Sequence, residues 1–161
     1  MIYFTTFILA LFLTQFACAQ QQTCGDPRSP ELLIQDEQQN LPIPATIHAS
    51  HTKVYDNKNG LLSKTECSNI ASHYKHFSNV PSFPRIGGYY NLKPRSSDCG
   101  DCWNVTNKAT HKFIYITIID GAEFGYFNLS EEAFKLLNKN QLGKPIVVTA
   151  SKVPNSHCSH H

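Results

Sequence analysis

The run KFIYITIID, residues 112–120, decides the architecture. It is dense in β-branched and aromatic residues, which suit a pleated strand. Ile114, Ile116 and Ile118 fall on one face, and Phe113, Tyr115 and Ile119 on the other. A strand apolar on both sides is covered on both sides, as in a barrel that carries loops or helices over its outer wall. KPIVVTA, residues 144–150, reads as a second such strand. One helix lies between them. Ser130 is a good N-cap, Glu131 and Glu132 stand in the first turn where the helix dipole favours acids, and Ala133, Phe134, Leu136 and Leu137 form an apolar side. Leu142-Gly143 reads as its exit. Shorter strands are expected over Thr52–Asp56 and Cys102–Asn107. The pattern predicts an all-β domain with one or two short helices, closed as a small barrel.

Outward from this run, the chain divides into three parts. Residues 1–19, MIYFTTFILALFLTQFACA, hold no charge and end in small residues, the pattern of a secretory signal peptide cut after Ala19. The apolar stretch is shorter than the ~20 residues a spanning helix needs, and Gln15 interrupts it. No membrane span is expected, and the mature chain is expected outside the cell or in the cell wall. Residues 20–51 are rich in Gln and Pro and read as a mobile N-terminal arm, with Pro27, Pro30, Pro42 and Pro44 breaking any helix. Residues 52–161 form the expected domain. They carry 13 basic and 8 acidic residues, a balance of +5, against +2 for the whole chain. No run of Lys or Arg occurs, so a nucleic-acid partner is not expected.

Six cysteines constrain the domain further. In an oxidising compartment they belong in disulfides. Cys99 and Cys102 have redox-motif spacing, but Trp103-Asn104-Val105-Thr106 follows as a strand, where a thioredoxin-like motif would open a helix. The tail His157-Cys158-Ser159-His160-His161 could supply some zinc ligands, yet a designed site needs four, and no metal site is assigned. Cys18 leaves with the signal peptide. Cys24, in the arm, is then the odd thiol, free, capped or joined to another chain; the alternative is cleavage before Cys18, with Cys18 paired to Cys24. Cys67, Cys99, Cys102 and Cys158 remain inside the domain, with three pairings open. No nucleophile elbow, P-loop or His-Glu-x-x-His motif is present, so no catalytic residue and no cofactor is assigned.

One ordered series carries a resemblance. Lys53-Val54-Tyr55-Asp56 is followed by Cys67, then Pro81-Ser82-Phe83-Pro84-Arg85-Ile86-Gly87-Gly88, then Cys99-Gly100-Asp101-Cys102-Trp103. Ile118-Ile119-Asp120, Phe127-Asn128-Leu129-Ser130 and Cys158 complete it. The series resembles the cerato-platanin family of small secreted fungal proteins over roughly residues 53–158. The resemblance implies a six-stranded double-psi β-barrel, similar to the expansin barrel and to glycoside hydrolase family 45. It implies the pairs Cys67–Cys99 and Cys102–Cys158. It also implies binding of chitin (N-acetylglucosamine) oligomers in a shallow groove, non-hydrolytic loosening of cell-wall polysaccharide, and recognition by plants as a defence elicitor. The segment between Cys67 and Phe83 is several residues shorter than the family pattern, and the stretch from Asp120 to Asn128 is one residue longer.

Sugar recognition needs planar polar groups for hydroxyls and an aromatic face for the ring. Asp120, at the end of the most apolar strand, can accept two hydrogen bonds, and Asn128 can both donate and accept. Tyr55, Asp56, Tyr89 and Tyr90 lie in or near matching segments, and Gly87-Gly88 permits close backbone approach. The carbohydrate-binding set is therefore Asp120, Asn128, Tyr55, Asp56, Gly87 and Gly88. The competing role for Asp120 is a cap for loop amides. Tyr89 and Tyr90 suit ordinary packing, and Trp103 reads as core. Asn104-Val105-Thr106 and Asn128-Leu129-Ser130 are glycosylation sequons. Hydrolysis would need a second carboxylate about 5–9.5 Å from the first, and none of Asp56, Asp98, Asp101 and Glu123 is marked by spacing. The expected function is a non-enzymatic carbohydrate-binding module. The alternatives are an effector read by a host surface receptor and a weak glycosidase.

Overall fold

The computed structural model describes residues 46–159. The signal segment, nearly all of the arm, and Cys24 lie outside the described residues. Six strands appear in chain order: β1 (Ile47–Thr52), β2 (Ile86–Tyr89), β3 (Cys102–Asn107), β4 (Phe113–Gly121), β5 (Tyr126–Ser130) and β6 (Ile146–Val153). They close in the order β1-β5-β2-β4-β3-β6. β1 runs parallel to β5 and β2 parallel to β4, while the other four neighbours are antiparallel. This is the double-psi β-barrel. Closure leaves no unpaired sheet edge.

The apolar alternation sets the inside of the barrel. Ile114, Ile116, Ile118, Val105, Phe127, Leu129 and Val148 pack there with Ala133, Phe134 and Leu137 of helix α1 (Glu131–Leu137). Ser130 Oγ accepts the Ala133 N–H at 3.0 Å, as an N-cap should. A second cluster joins Tyr55, Leu62, Phe77, Val80 and Ile86 to Ile119. The irregular segment between β1 and β2 thus covers the outer wall of β4 at Ile119, while Phe113, at the start of the strand, is left exposed, so the cover expected over the whole outer face reaches only part of it.

Two covalent links tie this cover to the barrel. Cys67 is bonded to Cys99 and Cys102 to Cys158, the pairs the resemblance implies. Gly100, at φ +86°, turns the chain between the two half-cystines.

Three boundaries differ from the sequence reading. The strand expected over Thr52–Asp56 lies earlier, at Ile47–Thr52, and Lys53–Asp56 is a 3-10 turn whose Val54 N–H is capped by Thr52 Oγ1 at 3.3 Å. Residues 47–51, assigned to the arm, therefore belong to the barrel. His48 and His51 interrupt the apolar pattern there, which concealed the strand. Helix α1 ends at Leu137, before the expected exit at Leu142-Gly143, because Lys139 and Asn140 adopt left-handed φ of +50° and +63°.

Candidate functional site

Gly87 and Gly88 of β2 are buried between two strands, where the close approach they permit is to protein backbone. A Cβ on Gly88 would collide with the Gly121 carbonyl oxygen, and one on Gly87 would stand 2.8 Å from the Asn128 carbonyl oxygen. Gly88 pairs with Asp120 of β4 on one side and Asn128 of β5 on the other. That register sets the two residues two strand spacings, ~10 Å, apart.

Asp120 is anchored by three donors. Its Oδ1 accepts the N–H groups of Glu66 and Gly121, each at 2.9 Å, and its Oδ2 accepts the Tyr55 hydroxyl at 3.1 Å. Tyr55 is buried, and burial first, then the Asp120 charge, push its phenol well above the ordinary tyrosine range. Both readings of Asp120 thus meet in one place. It caps loop amides, and it also lines an open depression of about 290 Å³ with Tyr55, Phe77, Asn57, Asn59 and Lys64.

Asn128 belongs to a second depression, of about 490 Å³, lined also by Ser50, Thr52, Glu123 and Tyr126. Its Oδ1 accepts the Ser50 hydroxyl at 3.3 Å across the parallel β1–β5 pair. Among the described residues none lines both depressions, so Asp120 and Asn128, though they flank one glycine, are not brought into one pocket.

Asp56 lines neither depression. Its two oxygens accept the Glu131 and Glu132 N–H groups at 3.0 and 3.3 Å, so it caps the start of α1. Tyr89 packs on Trp103 and Phe127 at centroid distances of 4.7 and 5.3 Å, in keeping with the packing role. Asn104 is half-buried on β3, with its Oδ1 accepting the Thr106 hydroxyl at 3.0 Å. Among the described residues, no three His, Cys, Asp or Glu side chains are grouped to hold a metal ion. No helix there is long and apolar enough to cross a membrane.

Sequence reading missed Ser50 and Tyr126 and the loop residues Asn57, Asn59, Lys64 and Phe77, and considered Glu123 only as a possible hydrolytic partner. Tyr126 had a signal: it shares the outward side of β5 with Asn128, since Phe127 and Leu129 face in. The loop residues had none, because their placement follows from a 3-10 and turn path without periodicity.

The family model described as Cerato-platanin matches residues 47–160. The allergen Asp f 15 homolog of Arthroderma benhamiae is 32% identical over 108 residues, which are 63% of this chain and 52% of that protein. The chain thus spans about half the length of that relative. The crystal structure of cerato-platanin 1 from M. perniciosa is 30% identical with a TM-score of 0.66, covering 70% of this chain and 98% of its own. The solution structure of the fungal elicitor cerato-platanin is 27% identical with a TM-score of 0.64, covering 70% and 97%. The protein described here belongs to the cerato-platanin family.

Proposed function

We propose that the protein is a secreted, non-hydrolytic module that binds chitin oligomers, with the Asp120 depression as its principal sugar site. The observation that carries this reading is the anchoring of Asp120. A carboxylate offers about four lone-pair directions, and three are held by Glu66, Gly121 and Tyr55. The group is fixed in place with one direction left for a sugar hydroxyl, which limits the ordering cost of binding. Around it, Asn57 and Asn59 offer amides for an N-acetyl group, and Val54, Leu61 and Phe77 offer apolar contact for its methyl. Asn128, with Glu123 and Tyr126, forms the second contact area for a longer oligomer.

Among the described residues, each depression is lined by a single carboxylate, Asp120 in one and Glu123 in the other. Glycoside hydrolysis uses a pair about 5–9.5 Å apart, so binding without cleavage is the reading this favours. The elicitor named among its relatives supports a further role in recognition by a plant host. Secretion rests on the sequence of residues 1–19.

Titration with chitin oligomers of increasing length tests the proposal, on the natural chain and on Asp120→Asn and Asp120→Ala. A charge-assisted hydrogen bond is worth about 1.5–3 kcal/mol, so both variants are expected to lose about tenfold or more in affinity, Ala more than Asn. Melting temperatures taken in parallel separate binding from folding. Unchanged affinity with a markedly lower melting temperature would show that Asp120 is a loop cap alone.

A further inference from the structure

The outer face of β4, β3 and β6 is a second surface, remote in register from Gly88. Ile114 and Ile116 of β4, Val105 of β3 and Val148 of β6 point into the core, so the alternate residues point out. Two rows result: Tyr115–Asn104–Ser151 and Phe113–Thr106–Thr149. Each row crosses three strands, ~10 Å. Phe113 and Tyr115 meet edge to face at 5.5 Å, and the His157 ring stacks on Tyr115 at 4.8 Å. Phe113 is 55% exposed. This is a cluster of three rings, with the Phe113 ring the exposed one, beside a grid of hydroxyls and one amide.

The border of the strip is cationic. A depression of about 600 Å³ beside Phe113 and Tyr115 is lined by Arg85, His111 and Lys112, together with Leu136 and no carboxylate. The acids adjoining β3, Asp98 and Asp101, are ion-paired with Lys152 at 3.2 and 2.5 Å.

From the joint chemistry of this face we propose that it binds an acidic polysaccharide, a chain of uronic acid sugars. Ring faces take the C–H faces of pyranoses. Thr106, Thr149 and Ser151 exchange hydrogen bonds with hydroxyls. Lys112 and its neighbours attract the carboxylate that each uronate carries. A neutral glucan would use the rings and hydroxyls but gain nothing from the charge of Lys112. A nucleic acid would use the cations and the hydroxyls as well, but the domain has no run of Lys or Arg to follow a phosphate backbone, and RNA is therefore a competitor in the test. This site is separate from the one proposed for chitin oligomers.

Affinity electrophoresis of the full chain through gels containing polygalacturonate tests it, with the fully methyl-esterified polymer as a neutral control on the same backbone. The expected result is retardation by polygalacturonate at least fivefold stronger than by the ester. Phe113→Ala and Lys112→Gln should each weaken it severalfold, with melting temperature and chitin-oligomer affinity unchanged. Equal retardation by the two polymers, indifference to both substitutions, or equal retardation by RNA would each overturn the proposal. So would full glycan occupancy of Asn104 in protein from its natural source, because that glycan would cover the grid. Loss of chitin-oligomer binding in Asp120→Ala, with polygalacturonate binding kept, would show the two sites to be independent.

Discussion

Tyr55 shows how a single residue joins stability to the site. Its ring packs edge-on against Phe77 at 6.0 Å, and its hydroxyl holds Asp120. The folded protein keeps this phenol protonated beyond the ordinary range. A group whose folded pKa is raised contributes stability that is fully present below its unfolded value, about 10 for tyrosine, and is lost as pH rises above it. The urea midpoint is therefore expected to be flat from pH 8 to about 10 and to fall beyond it. Tyr55→Phe should be less stable at neutral pH, because Asp120 loses a donor, yet show a shallower alkaline fall. If variant and natural protein fall in parallel above pH 10, the phenol of Tyr55 is not what titrates.

At the scale of elements, β2 is held close between its two neighbours. It lies between β4 and β5, parallel to one and antiparallel to the other, and its two glycines let three backbones approach. Gly88→Ala would push a methyl into the Gly121 carbonyl, which is backbone and cannot rotate away. Overpacking of this kind costs about 1–3 kcal/mol. The strand that yields would be β4 at Asp120, so oligomer affinity should fall together with the denaturation midpoint. An alanine variant of natural stability and affinity would show that the β2–β4 contact can relax without cost.

Over the whole molecule, the two disulfides fix what the strands do not. Cys67–Cys99 spans 32 residues and Cys102–Cys158 spans 56. Loop closure on that scale stabilises a fold by ~4 kcal/mol each in the chain-entropy model, a large share of the roughly 5–15 kcal/mol typical of a domain. Replacing both Cys102 and Cys158 with Ala should lower the denaturation midpoint sharply. It should also release His157 from Tyr115, and so weaken polygalacturonate retardation more than chitin-oligomer binding at temperatures where the variant is folded. Loss of both binding activities in equal proportion would place the tail outside the ring strip.

What the sequence determined by itself was local and periodic. The apolar run at 112–120 announced a strand with a buried inner face, though its outer face is covered only at Ile119, and Ser130 with Glu131 and Glu132 announced the helix start, since caps and alternation act within a few residues. The spaced cysteines and the Phe127-Asn128-Leu129-Ser130 motif carried the family resemblance, and with it the barrel and the disulfide pairs. What only the tertiary structure decided was non-local. Thr52–Asp56 had strand chemistry, yet the chain turns there to bring Tyr55 beneath Asp120 and Asp56 beneath the helix start, 75 residues away in the chain. Asp120 and Asn128 look alike as polar strand residues, but the interposed β2 sends them to separate depressions. Strand neighbours in a closed barrel are set by which buried faces fit together across long loops, and no short-range pattern encodes that choice.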